Sequence, residues 1–317
     1  MTTWKMTRTM TPETLSQWDR DAQADLQAVV VMRKGELVAE RYFNGATAET
    51  LNDVRSLGKS ITSLLMGAAI ERGRVHAVSD LVERYWPESR NSAIGNVALA
   101  NVLTMRSGLA ADDDQASSPG NEDLLDEASD PLAFALSVPR SDAPGTMYRY
   151  NSLTAYVAGL VIEKAVGQPL ADFARSALFG PVGVERWQWA RDVGGHTKGQ
   201  GNLSLTARDL AAIGQMVLNK GLFHGKRVLS ADWITESLEP RVSISHTDPY
   251  ADGYGYFWYH KTHDIAGRRV ALSFASGNGG NKLYLVPSRE LVVAITSRAY
   301  GRGYGQRRSE DILKALL

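Results

Sequence analysis

The chain is predicted to be an α/β (α+β) protein, an antiparallel sheet flanked by helices and built from both chain ends, with a mostly helical inserted domain. Three observations predict this. The runs Gln27–Met32 and Leu37–Phe43 are rich in Val and aromatic residues and bracket the turn-like Arg33-Lys34-Gly35-Glu36, so they read as a hairpin. The carboxyl-terminal third returns to short β-branched or aromatic runs separated by Gly, Asn and Pro. Between these ends the chain is helical and loop-rich. At 317 residues it is long enough for two domains, expected as 1–75 plus 240–317 and 76–239, with a cleft where they meet.

In chain order, Leu15, Trp18 and Ala22 give Thr11–Leu26 the period of an amphipathic helix. The hairpin follows, and its strands feed a helix whose apolar run is Ile61–Ile70. Further helices are expected at Val97–Met105, Pro131–Val138, Ser152–Val166 and Leu170–Leu178. The acidic, Ser/Pro-rich stretch Ala111–Asp130 interrupts them and reads as a surface loop at the rim of the cleft. Its Asp112-Asp113-Asp114 cannot turn three consecutive carboxylates onto one ion and reads as solvated. Strands are expected at Tyr254–His260, Arg269–Ala275, Lys282–Val286 and Leu291–Thr296, and a last helix at Ser309–Leu317. Alternation along the first of these sends Tyr254, Tyr256 and Trp258 to one face and Phe257 and Tyr259 to the other, core or acyl-pocket lining.

Composition excludes several classes. Thirty-five basic side chains balance thirty-five acidic ones, which argues against broad electrostatic binding of nucleic acid or anionic membrane. No apolar stretch approaches the roughly 18 residues a membrane span needs. Met1–Thr11 is polar and lacks the apolar core of a secretory signal, so the expected location is cytoplasmic. The absence of cysteine removes disulfides, thiol nucleophiles and cysteine metal sites. His260 and His263 lie three apart at a predicted strand end, not on a helix face, so no metal site is expected there. His196 reads as a solvated loop histidine, with approach to the cleft as the alternative.

The densest chemistry lies at Ser56-Leu57-Gly58-Lys59, where a helix begins. A hydroxyl and an amine three residues apart project from one face of a first turn. A serine becomes a nucleophile when a neighbouring base takes its proton, and the N–H groups at a helix start favour a developing oxyanion. By itself the pattern is a weak signal, because a serine at a helix start is usually only an N-cap and a lysine there is usually solvated. Gly58-Lys59-Ser60 imitates the end of a phosphate loop, but Asp53 stands where the opening glycine should be and would repel phosphate. No G-x-S-x-G elbow occurs anywhere.

Two further clusters follow. Pro144-Gly145 leads into Tyr148-Arg149-Tyr150-Asn151-Ser152 just ahead of a helix, where a tyrosine is either packed or placed to pass a proton. Phe274-Ala275-Ser276-Gly277-Asn278-Gly279-Gly280-Asn281 is either a flexible turn or a strand end that a substrate can approach, with N–H groups completing an oxyanion hole.

These three clusters in this order, with Gly201-Asn202-Leu203-Ser204-Leu205-Thr206-Ala207-Arg208-Asp209-Leu210-Ala211, resemble the serine β-lactamase and penicillin-recognising superfamily. The likeness is to its class C-like branch, which includes esterases, D-aminopeptidases and 6-aminohexanoate-dimer hydrolases, and it covers about Val29 to Thr296. The resemblance implies Ser56 as nucleophile, Lys59 as partner base and Tyr150 as proton shuttle, with Ser56, Ser152, Ser276, Gly277 and Asn278 at the oxyanion and substrate site. It implies no cofactor and no metal.

Two departures bear on substrate. The family's second motif is usually Tyr-x-Asn, whereas Tyr150-Asn151-Ser152 ends in serine. Its third motif usually opens on Lys or His, whereas Ala275-Ser276-Gly277 opens without a cation, and a charge-assisted hydrogen bond to a β-lactam carboxylate is worth about 1.5–3 kcal/mol. The expected reaction is acyl-enzyme cleavage of small esters or linear amides. β-Lactams, D-amino-acid peptides and aminohexanoate oligomers stand as alternatives, and a non-catalytic binding protein on the same scaffold as another. No nucleic-acid or membrane partner is expected, and the oligomeric state is not encoded in these motifs.

Overall fold

The computed structural model describes residues 12–19 and 23–317. Its main sheet has eight strands: β1 Leu26–Arg33, β2 Glu36–Tyr42, β3 Val242–Ser243, β4 Gly253–Tyr254, β5 Tyr259–Ile265, β6 Arg268–Gly277, β7 Asn281–Val286 and β8 Leu291–Ser297. They lie in the order β2-β1-β8-β7-β6-β5-β4-β3, with neighbours antiparallel. Both chain ends therefore build one sheet, as expected. The β1–β2 hairpin closes through Lys34 and Gly35, with φ 54° and 83°; two left-handed residues match the turn to the strand twist.

Burial of β1 and β8 on both faces calls for covering layers. Helix α7, Ala207–Leu218, packs on β1, β7 and β8 through a face holding Leu210, Ile213 and Val217. Gly214 lets it approach closely, since a Cβ there would sit 2.6 Å from Leu283 and 2.7 Å from Val292. Strand alternation turns Lys282 and Tyr284 to the other face, which α9, Tyr304–Leu316, covers with Ile312, Leu313 and Leu316.

The buried centre of the molecule is α1, Gly58–Glu71, enclosed from Gly58 to Ala69, with its apolar side chains in the core and the polar Lys59, Ser60 and Thr62 hydrogen-bonded to neighbouring segments. It packs against α5, Ser152–Val166, and against α8, Ala231–Ser237, whose Trp233 indole lies over Gly67. The smaller helices are α2 Leu99–Leu103, α3 Glu122–Glu127, α4 Pro131–Ser137 and α6 Leu170–Ala174, the last continuing as a π-turn over Arg175–Phe179.

Four expectations change. The helix read over Thr11–Leu26 is a 3₁₀ helix at Pro12–Trp18, because Leu26 joins the sheet opposite Ser297; Thr11 and Ala22 lie outside the described residues. The strand read over Tyr254–His260 is interrupted between β4 and β5. Phe257 takes φ 60°, its N–H donates to Leu103 O, and its carbonyl accepts from Ser60, so the aromatic run leaves the sheet to plug the gap above α1 and α2. The last helix starts earlier, at Tyr304. Ala111–Asp130 is not a simple surface loop: it contains α3, and the buried Asn121 amide ties together the carbonyls of Asp112, Asp113 and Gln115.

Candidate active site

Ser56 lies in a single 3₁₀ turn, Arg55–Leu57, that runs directly into α1. Arg55 before it has φ 53°, a conformation that costs a residue with a Cβ about 1–2 kcal/mol. Asp53 holds it there by accepting from the Arg55 N–H at 2.8 Å, and the Tyr300 ring lies 4.5 Å from the guanidinium. Asp53, incompatible with a phosphate loop, is thus the clamp of the turn that carries Ser56. Two backbones press on that turn. A Cβ at Gly277 would sit 1.9 Å from Val54 O and one at Gly201 3.1 Å from Arg55, so only glycine lets both segments close on it.

Lys59 projects from the first turn of α1 and is 2% exposed. Its Nζ donates to Ser56 Oγ at 3.0 Å, Ser152 Oγ at 3.0 Å and Gln200 O at 2.8 Å. The amine of the S-x-x-K pair is therefore neither solvated nor distant. Asn151 caps α5 by accepting from Thr154 N, which fixes Ser152 at the first helical position and Tyr150 just outside it. The Tyr150 ring centroid is 5.1 Å from Lys59 Nζ, and Tyr150 lines the cleft with Ser56. No hydrogen bond joins its hydroxyl to Ser56 or Lys59 among the described residues.

The cleft holds about 600 Å³, room for a small organic substrate. Gly277, Ser276 and Asn278 line it at the end of β6. The Asn278 side chain is committed to the 301 loop, where its Oδ1 accepts from Gly301 N at 2.8 Å. Ser152 is fully buried beneath Lys59 and is not among the lining residues. Of the aromatic run, Tyr259 reaches the cleft and is joined by Phe274, whereas Tyr254, Tyr256, Phe257 and Trp258 are core.

Four contributors were not legible as such in the sequence. Gln200 supplies its carbonyl to Lys59. Glu122, at the start of α3, accepts from Ser152 Oγ at 2.6 Å. Asp113 turns into the cleft, where burial, with Glu122 beside it, pushes its carboxyl up to about 6 against the opposing pull of Lys59. Lys282 on β7 stands opposite Ser276 on β6 and donates to its Oγ at 2.8 Å. Its amine lies 4.7 Å from the Phe274 ring centroid, and burial pushes it down to about 7 although Asp248 and Glu310 favour its charge. The cation missing before Ser276 in sequence is thus matched by one beside it in space. Asp112, Asp113, Asp114 and Glu122 make one wall acidic, while Lys282, Arg149 and Arg302 bring positive charge elsewhere.

The histidines take structural places. His260 Nδ1 lies 3.1 Å from Ser273 Oγ, and burial pushes the imidazole down to about 4; His263 lies 3.8 Å from Glu310. His196 Nδ1 is 2.9 Å from Glu163, which also accepts the N–H groups of Leu170 and Thr197, so it anchors its loop and does not line the cleft. Among the described residues no helix is long and apolar enough to cross a membrane.

The family model described as Beta-lactamase matches residues 18–317. The 6-aminohexanoate-dimer hydrolase of Paenarthrobacter ureafaciens is 26% identical over 297 residues, covering 85% of this chain and 72% of the relative. Esterase EstB of Burkholderia gladioli is 31% identical over 176 residues, 49% of this chain and 44% of EstB. The crystal structure of a class C beta lactamase from Rhodobacter sphaeroides superposes with a TM-score of 0.73 at 16% identity, covering 95% of this chain and 97% of that one, a likeness of fold.

Proposed function

The chain belongs to the Beta-lactamase family and is a serine hydrolase, and from that premise we propose that Ser56, Lys59 and Tyr150 form its acylating centre. The observation that carries the proposal is the buried Lys59 amine 3.0 Å from Ser56 Oγ. Ser56 Oγ attacks a carbonyl carbon as its proton passes to unprotonated Lys59, and the carbonyl oxygen takes the negative charge. The Ser56 N–H and the N–H groups at the end of β6, where Gly277 abuts the nucleophile turn, are the candidate oxyanion donors. Lys59 returns the proton to the leaving group, with Tyr150 beside it as shuttle, and water then hydrolyses the acyl-enzyme.

The proposed substrates are small esters and linear amides, in line with the esterase and the 6-aminohexanoate-dimer hydrolase among its relatives. The helical part, 76–239, and the sheet part, 1–75 plus 240–317, are read as the two sides of the cleft. Lys282 favours a second reading, in which the substrate carries an anionic group toward Ser276. A panel of p-nitrophenyl esters, nitrocefin, D-alanyl amides and the linear nylon dimer separates these. Ester or nylon-dimer turnover above nitrocefin is expected; fast nitrocefin turnover without ester cleavage reverses the order.

A further inference from the structure

Lys59 poses a problem for any mechanism in which it accepts a proton. An ammonium has three donors and no lone pair, and Lys59 has three oxygen partners, Ser56 Oγ, Ser152 Oγ and Gln200 O. In that state every proton is placed and none can be taken from Ser56. One partner differs from the others. Ser152 Oγ, which accepts from Lys59, itself donates to Glu122 Oε2 at 2.6 Å, so a continuous path of two hydrogen bonds leads from the amine to a carboxylate.

We propose that Ser152 and Glu122 are a proton outlet that unloads Lys59 before Ser56 attacks. This rests on the reading of Ser56 and Lys59 as the acylating pair. A Lys59 N–H bond breaks as an O–H bond forms on Ser152, and the original Ser152 O–H breaks as one forms on Glu122. Lys59 is left as a neutral amine with a lone pair toward Ser56, Glu122 as a carboxylic acid, and nothing is oxidised or reduced. Ser152 is buried and off the cleft, so its hydroxyl serves the path and not the substrate. Glu122 is exposed at the start of α3 and lines the cleft, so it can release the proton to water. Asp113, whose buried carboxyl lies against the same group, and Tyr150, whose ring faces Lys59, are the other titratable neighbours.

The serine at 152 gains a reason from this. A hydroxyl accepts one proton while giving up another, whereas the amide common at this place in the family can hold Lys59 in position but cannot conduct. Ser152 and Glu122 are positioning residues in this scheme, acting on substrate only through Lys59.

The test is the pH profile of kcat/KM for p-nitrophenyl acetate in the wild type, Glu122→Gln and Ser152→Asn. Glutamine at 122 still accepts the Ser152 hydrogen bond but cannot take a proton, and the site is exposed, so folding is preserved. The acid limb should move up by about one pH unit, a loss of about tenfold on the acid side that narrows as the solution becomes alkaline. Ser152→Asn should move it the same way. Profiles of Glu122→Gln that superpose on the wild type, or an acid limb that moves down as loss of a carboxylate that merely favours the Lys59 ammonium would produce, overturn the outlet. Ser56→Ala, run alongside, keeps the two readings apart: an inert Ser56→Ala with an unshifted Glu122→Gln removes the outlet alone, while an active Ser56→Ala removes the acylating centre and the outlet with it.

Discussion

Replacing Lys282 by methionine should make the folded chain more stable at pH 7, and the gain should depend on pH. The side chain is 2% exposed and its amine is pushed from 10.5 down to about 7 by burial. Methionine has a similar reach and no proton to place. A lysine depressed in the folded state binds a proton less readily there than in the unfolded chain. Between about 7 and 10.5 the unfolded state therefore holds more protons, and wild-type stability rises with pH through that window. At about 1.36 kcal/mol per pH unit, the gap from 10.5 to about 7 bounds the burial cost at about 5 kcal/mol on its acidic side. Methionine forgoes the hydrogen bond to Ser276 and the contact with the Phe274 ring, which return about 2 kcal/mol. The expected stabilisation is about 2–3 kcal/mol at pH 7, turning into a net loss of about 1 kcal/mol at pH 10, where the burial cost has fallen below the value of the lost contacts. Equilibrium unfolding in guanidinium chloride at the two pH values measures both numbers. A variant less stable than wild type at pH 7, or a gain equal at both pH values, refutes the reasoning.

Two other perturbations read different parts of the same site. Gly277→Ala places a Cβ 1.9 Å from Val54 O, so the turn that carries Ser56 must move; activity should fall at least about tenfold with a stability loss of about 1–3 kcal/mol, checked by ester kinetics and unfolding. Asp113 is raised to about 6, so its folded carboxyl holds a proton between about 3.8 and 6 that the unfolded chain gives up, and wild-type stability falls as pH rises through that window. Asp113→Asn should therefore gain about 1–3 kcal/mol at pH 7 and little at pH 4, by the same unfolding measurement; equal stabilisation at both values contradicts the assignment.

What the sequence made legible was what local pattern controls. The Lys34-Gly35 turn, the apolar run of α1 and the Asn151-capped start of α5 each declare themselves within a few residues, and Ser56 and Lys59 are held by one helix turn. The rest of the site is made by contacts between distant segments. Lys282 sits in a strand that reads as ordinary, and only the β6–β7 register sets it opposite Ser276. Glu122 and Asp113 lie in an acidic stretch whose composition says solvent, yet the Asn121 amide folds it back toward Lys59. Gln200 acts through its backbone, which no side-chain motif can announce. The aromatic run before β5 misleads for a related reason: its residues favour a strand, but the left-handed turn at Phe257 turns them into the packing above α1.

The central claim is that Ser56 carries the acyl group. Intact-protein and peptide mass spectrometry after treatment with a fluorophosphonate tests it most directly, with Ser56→Ala as the paired sample. A single adduct on Ser56, lost together with hydrolysis in the alanine variant, is the result this account predicts. An adduct on another residue, or undiminished hydrolysis by Ser56→Ala, contradicts it.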